Sequence, residues 1–378
     1  MISSTNYYAS VLRLLGAALL YIYGCSAAHG PALNSGKTAV PSNAAGPSIA
    51  ILPIVNFSNT PAPMAELDRK WARHLKNKGL HILGADVVED VVNRNRIRYT
   101  GGLTPEKAEA FKTQAGADAV LVTILELYNK AIPPKIAINA RLVSTSRQPR
   151  ILWIDGTGMA GDDAPGLLDL NLIEAPQRLT EKALNYLSDS LARYVSGKKR
   201  YAKAQGARSR FGPQMSFHSW VMDPKTTYRV AVVPFLNLSE RNRAGDFMAL
   251  LFAQALSAHD NFTVVEPGTV RQQLLDLRII MPGGISLANA DLVFLRLDAD
   301  LILSGEVLDY QDYQGPNGSP KVDFSAQLIE RKSREVVWTV KSHNTGDDGV
   351  FFFDQGKVHT AHELARQMVS LAVEEILQ

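Results

Sequence analysis

The stretch Ile49-Ala50-Ile51-Leu52-Pro53-Ile54-Val55-Asn56-Phe57-Ser58 decides the fold, because the chain writes it again as Val230-Ala231-Val232-Val233-Pro234-Phe235-Leu236-Asn237-Leu238-Ser239. A short apolar run rich in β-branched residues, ending at a proline, reads as a buried strand. Outward from this pair the matches continue in order. Gly101-Gly102-Leu103-Thr104 lines up with Gly283-Gly284-Ile285-Ser286, and Ala117-Asp118 opens an apolar run as Ala299-Asp300 does. Ala140-Arg141-Leu142 matches Ala326-Gln327-Leu328, Trp153 matches Trp338, and Gly161-Asp162-Asp163 matches Gly346-Asp347-Asp348. The offset drifts only from 181 (Ile49 to Val230) to 186 (Ala140 to Ala326), so one unit is present twice.

Within each copy the periodicity predicts a strand, an amphipathic helix (64–78; 245–258), a second strand (80–83; 262–265) and one or two further helices. Three strands then read as a meander, over 119–128, 136–143 and 151–154 or over 301–310, 322–329 and 336–340. A last helix closes each copy, 177–195 or 358–377. The order β-α-β-α-β-β-β-α predicts an α/β fold: two tandem three-layer domains, each with a mixed sheet rather than an all-parallel one. The expected divisions are a signal peptide (1–24), a lipidated tether (25–47), domain one (48–196), a basic linker (197–228) and domain two (229–378).

A chain of 378 residues has room for two domains, and 46% hydrophobic with 20% charged residues excludes a disordered or collagen-like chain. Forty Lys and Arg against 37 Asp and Glu leave a net +3, too even to argue for a nucleic-acid partner. The single cysteine excludes an internal disulfide framework and a cysteine-rich zinc site.

That cysteine is placed tellingly. An unbroken apolar run over 14–23 has the length of a secretory h-region and about half the ~20 residues of a membrane span. It stops at Ile22-Tyr23-Gly24-Cys25-Ser26, which resembles a bacterial lipobox with an aliphatic residue at −3 and a small one at −1. An ordinary signal peptide with a chance cysteine is the plainer alternative. As a lipobox, it makes Cys25 the lipidated first residue, whose acyl chains at ~0.8 kcal/mol per CH₂ anchor the protein on membrane lipid. Ser26, in place of Asp, resembles the outer-membrane sorting pattern. Residues 26–47 are small and polar and read as a flexible tether of r.m.s. span ~25 Å.

The search for catalytic chemistry yields little. Asn34-Ser35-Gly36-Lys37-Thr38 misses the phosphate-loop spacing and follows no strand. Gly156-Thr157-Gly158-Met159-Ala160-Gly161 matches a dinucleotide glycine pattern, but Asp162, Asp163 and Pro165 follow where a helix amino terminus is needed, so no cofactor is expected. The paired aspartates 162/163 and 347/348 read as turn formers before the last helix rather than metal ligands. His359, His362 and Glu363 lack the metalloprotease spacing and read as surface residues of the closing helix. There is no Gly-x-Ser-x-Gly elbow, and Cys25 is spent on lipid, so no enzyme activity is expected. Trp153 and Trp338 read as core. Asn56 and Asn237 each end the opening strand: they are turn formers or, at the sheet edge, candidate interaction residues. Lys198, Lys199 and Arg200 of the linker are either solvated or a basic contact for anionic envelope material.

The opening strand, the Gly-Ala-Asp-Ala-Val-Leu strand at Asp118 with its Asp300 counterpart, and the late tryptophan strand together resemble the periplasmic α/β domain of the curli-secretion lipoprotein family. The same domain type occurs in outer-membrane lipoproteins that activate penicillin-binding proteins and in the TolB amino-terminal domain. The resemblance covers 48–196 and 229–378 and implies fold and compartment, not activity. It implies an outer-membrane-anchored periplasmic scaffold or accessory that binds envelope proteins, in assembling a secretion or surface-appendage machine, with homo-oligomers among its states. A regulator of a peptidoglycan synthase is the alternative, disfavoured by the short tether. An export pore comes third, because 129–135 and 311–321 are too short and too rich in Pro, Gly and Asn for membrane-length hairpins.

Overall fold

The computed structural model describes residues 46–97, 102–163, 171–198, 209–219, 223, 225–279, 285–313, 318–350 and 356–376. They form a mixed α/β structure with two mixed sheets, one of five strands and one of seven. The signal, the lipobox and the tether as far as residue 45 lie outside the described residues, as do Lys199 and Arg200. Among the described residues no helix is long and apolar enough to cross a membrane.

Copy one runs β1 (Ile49–Ile51), β2 (Val55–Asn56), α1 (Met64–Asn77), α2 (Ala85–Arg94), α3 (Pro105–Ala115), β3 (Ala119–Asn129), β4 (Lys135–Ser144), β5 (Ile151–Ala160) and α4 (Pro176–Val195). Its strands lie in the order β1-β3-β4-β5, with β2 also on β3; β1 and β2 are parallel to β3, and the meander is antiparallel. The second strand expected at 80–83 is reduced to one bridge, Ile82 to Ile49. Copy two keeps it: β7 (Tyr228–Val232), β8 (Leu236–Asn237), α5 (Ala244–Ser257), β9 (Phe262–Val264), α6 (Pro267–Asp276), α7 (Leu287–Leu297), β10 (Leu301–Gln311), β11 (Lys321–Glu330), β12 (Val336–Thr345) and α8 (Ala361–Ile376). Here β9 pairs parallel with β7.

The stretch expected to be a basic linker is in part built into the fold. Residues Met215–His218 form β6, which pairs antiparallel with β12 and extends the second sheet. Phe211 is fully buried in the core of copy two, and Arg210 lies over its ring and donates to the Gly356 carbonyl. A buried aromatic and a strand edge with unpaired backbone groups outweigh solvation of the basic side chains.

Strand alternation sorts the cores. On β3, Ala119, Leu121 and Leu125 pack with Leu67, Trp71 and Leu75 of α1 and with Leu184 and Leu187 of α4. The opposite residues, Val120 and Val122, pack with Val88 and Val92 of α2 and Phe111 of α3. The rest of that face meets copy two: Ile124 and Ile154 belong to the same core as Leu250, Phe252, Val369 and Trp338. Helices α5 and α8 therefore touch both sheets, packing on β5 of copy one as well as on β10–β12. The sequence treats the copies as separate domains. In the structure each copy keeps clusters of its own, and the main core of copy two also takes in Ile124 and Ile154 of copy one.

Candidate interaction site

The seam between the copies is built from residues that copy one alone would leave facing solvent. On β4 the even positions Ile136, Ile138, Ala140 and Leu142 face α1 and α4, while Lys135, Asn139 and Arg141 alternate to the other face. All three are buried. Arg141 donates from Nε and Nη2 to Glu266 Oε1 at 3.1 and 3.0 Å, and neither side chain reaches solvent. Glu266 is also the N-cap of α6, accepting from the backbone N–H groups of Gly268 and Thr269, and it accepts from Leu103 N of copy one at 3.3 Å. One carboxylate thus neutralises a guanidinium and satisfies a helix start together.

A second charged pair is buried elsewhere in the seam. The register of β3 against β4 shifts between Leu125 and Leu127, so Glu126 is the bulged residue, and bulges re-aim side chains. Glu126 Oε2 lies 2.7 Å from His362 Nδ1 on α8, and its other oxygen accepts from the Tyr310 hydroxyl of β10. Burial pushes the Glu126 carboxyl up, but the His362 imidazole and the Tyr310 hydroxyl overcome it and hold the group below the usual range. Burial pulls His362 down, and the Glu126 charge more than reverses it, leaving the imidazole above its ordinary 6.5. Burial, with Glu126 adding to it, raises the Tyr310 phenol well above 10. The arrangement is a buried ion pair braced by a phenol. A general base must reach a reacting proton, and here both carboxylate oxygens are engaged inside the seam.

His362 and His359 are therefore not surface histidines. They are 1% and 7% exposed, because α8 is covered on both faces. His359 Nδ1 lies 2.9 Å from Asp162, while Asp163 takes the turn role expected of it, accepting from Ala160 N at 2.8 Å. Asp348 does the same for Thr345. Burial pushes the Asp163 carboxyl up to about 6. Nearby, burial pushes Lys135 down to about 8; its ammonium stands 3.1 Å from the Tyr313 ring centre and donates to the Tyr313 carbonyl.

The glycines that imitate a dinucleotide motif serve helix packing. A Cβ on Gly156 would come within 2.9 Å of His362 Nε2, and one on Gly158 would meet Thr360 Oγ1 and come within 3.1 Å of Glu363 N. They let α8 lie directly on β5.

Asn56 and Asn237 form the same loop. Asn56 Oδ1 accepts from Ser58 N and Oγ at 3.0 and 2.6 Å, and its amide donates to Thr60 O at 2.9 Å. Asn237 repeats this with Ser239 and Arg241. The Asn237 loop leads to the seam, since Arg241 donates to the Glu126 carbonyl at 2.5 Å and Arg243 lies 3.9 Å from the Phe57 ring centre. Lys198 is exposed beyond α4; the structure does not join it to the two asparagines. Trp153 and Trp338 are core, each 1% exposed.

Sequence reasoning missed Glu126, Arg141, Glu266, Tyr310 and His362. For Glu126 and Arg141 the signal available was a charge in the interior of a long apolar strand, Ala119–Asn129 or Lys135–Ser144; Glu266, Tyr310 and His362 lie on neither strand.

Two grooves complete the picture. Between α1 and α2 of copy one lies an open groove of about 780 Å³, lined by Leu52, Pro53, Ile82 and Val88 and by the polar Asp68, Lys76, Glu89, Asn93 and Arg96. The matching place in copy two, at Pro234, Ala249, Leu250, Pro267 and Arg271, is filled by Phe57, Gly102 and Ile124 of copy one and keeps only about 50 Å³. Among the described residues no group of three or more His, Cys, Asp or Glu is placed to hold a metal ion.

No family model matches the chain, and no curated protein matches it. Among solved structures, it is similar to the PelC dodecamer from Paraburkholderia phytofirmans, at 18% identity over 43% of this chain and 97% of that one, with a TM-score of 0.30. It is also similar to lipoprotein GNA1162 from Neisseria meningitidis, at 22% identity over 38% and 98%, TM-score 0.28. The LpoB C-terminal domain from Escherichia coli is similar at 18% identity over 32% and 87%, TM-score 0.24.

Proposed function

We propose that this chain is an envelope lipoprotein, held on the periplasmic face of the outer membrane by lipid on Cys25, that works by binding proteins. Its partners are envelope proteins and copies of itself. Its task is that of a scaffold or accessory in assembling a secretion or surface-appendage machine, without catalysis and without a cofactor. The observation that carries this reading is the contrast between seam and groove. The acid, base and cationic side chains suited to chemistry are engaged with one another inside the seam, whereas the open groove is mainly apolar, as protein-docking surfaces are. Two modules on one chain also raise the effective concentration at a repeating partner.

The test is fractionation with affinity capture after crosslinking in cells. Cys25→Ala is expected to release the protein from the membrane pellet, and the native chain is expected to capture envelope assembly proteins. A variant that stays in the outer-membrane fraction with its signal uncleaved would sink the lipid-anchor reading. Capture of a peptidoglycan synthase instead would move the protein to the regulator reading.

A further inference from the structure

The filled groove of copy two is a template for the open one of copy one. The side chains that fill the groove of copy two are those of Phe57 and Ile124, beside the backbone of Gly102, and Glu126 follows Ile124 two residues on in the seam. The counterparts of Phe57, Ile124 and Glu126 in copy two are Leu238, Glu306 and Leu308, the last being the bulged residue of β10 as Glu126 is of β3. Leu238 and Leu308 are 57% and 41% exposed, and Leu238 N donates to Val307 O, so the two leucines form one apolar edge. The copy that owns the empty groove and the copy that owns the uncovered plug are at opposite ends of the repeat.

We propose that the groove between α1 and α2 receives the Leu238–Leu308 edge of a second copy of this chain, head to tail, in the relation the two modules already hold within one chain. This deepens the protein-binding reading by naming one partner surface.

Two buried charged pairs of the seam are each replaced on both sides, while Lys135 keeps a lysine counterpart in Lys321. Glu126 becomes Leu308 and its partner His362 becomes Gln177, by the offset that aligns Ile173 with Val358. Arg141 becomes Gln327 and its partner Glu266 becomes Gly84, the N-cap at the start of α2. Neither replacement leaves a lone charge to be buried, the costliest defect of an interface. One apolar contact is exchanged for opposite charges: Leu250, which lines the filled groove beside Ile124, has Arg69 as its counterpart, and Ile124 has Glu306. Gly156 and Gly158 become Lys341 and His343, so the helix cannot lie as close to the sheet. The contact between chains is therefore weaker and more salt-sensitive than the seam. Being heterologous, it continues until it closes a ring or runs on as a filament.

The experiment uses the full chain in mild detergent, measured by sedimentation velocity from nanomolar to high-micromolar concentration. Mass is expected to rise above the monomer with concentration. Arg69→Glu and Glu306→Arg are each expected to weaken association about tenfold, and the double variant to regain it. Unchanged far-UV dichroism and unfolding midpoints verify that each variant folds. In a second arm, chains carrying Cys25→Ser with either Ala72→Cys or Leu308→Cys are mixed under oxidation, and a disulfide dimer is expected only in the mixture. A monomer at every concentration, a double variant no better than the singles, or equal crosslinking within either sample alone overturns the proposal. Failure here with successful capture of envelope proteins would leave the protein-binding reading standing.

Discussion

Helices α1 and α5 hold the same place in the repeat and carry opposite chemistry. Three of the fourteen residues of α1 are buried, against ten of the fourteen in α5. Strands β5 and β12 differ in the same sense, with Gly156 and Gly158 in one and Lys341 and His343 in the other. A helix that touches one sheet needs one apolar stripe, whereas a helix between two sheets needs apolar residues nearly all round. A strand under a helix needs small residues, and a strand facing water tolerates charge. The duplication therefore kept the fold and rewrote each face according to what covers it.

Breaking the seam should cost far more than disturbing the equivalent position in copy two. Arg141→Ala leaves Glu266 buried without its guanidinium and should lower stability by ~3–5 kcal/mol in urea denaturation. Gln327→Ala, at the matching position, should change it by less than ~0.5 kcal/mol. Equal losses would mean that the seam is not special. Gly158→Val should cost ~1–3 kcal/mol by forcing α8 off β5, while His343→Val, on the exposed counterpart, should be close to neutral.

A smaller effect follows from His362. Its raised pKa means that the stability it contributes is complete below its unfolded value and is lost as pH rises through its folded value. Glu126, held low, contributes stability above its unfolded value and loses it as pH falls through the folded one. Lys135, pushed down to about 8, acts against His362 on the alkaline side, since a neutral lysine is favoured by folding there. The comparison of native chain with His362→Gln, by urea midpoints across pH, isolates the histidine. The native chain should lose its advantage over the variant as pH rises above 6.5, and a pH-independent difference would contradict the ion pair.

The duplicated strands, the meander and the closing helices were legible because apolar period and turn residues are local signals. The turn roles of Asn56, Asn237, Asp163 and Asp348 were legible for the same reason, whereas the pairing of Asp162 with His359 was not. The second strand of copy one was not, because its ladder is a single bridge at Ile82 and nothing in its composition says so. The seam was hidden by a property of alternation itself. Lys135, Asn139 and Arg141 alternate with apolar residues as on any half-exposed strand, and only the tertiary partner turns that polar face into an interior. Phe211 and β6 were hidden among basic residues that read as solvated.

The most direct measurement expresses 48–196 and 209–378 separately, the second with Phe211 and β6 that complete copy two, and compares each with the full chain by hydrogen exchange and urea denaturation. Each half should lose protection on the seam strands β3–β5 or the seam helices α5 and α8, bind hydrophobic dye, and unfold at lower urea than the full chain, which unfolds as one unit. Two monomeric, dye-free halves that unfold at the full chain's own midpoint would contradict a shared core.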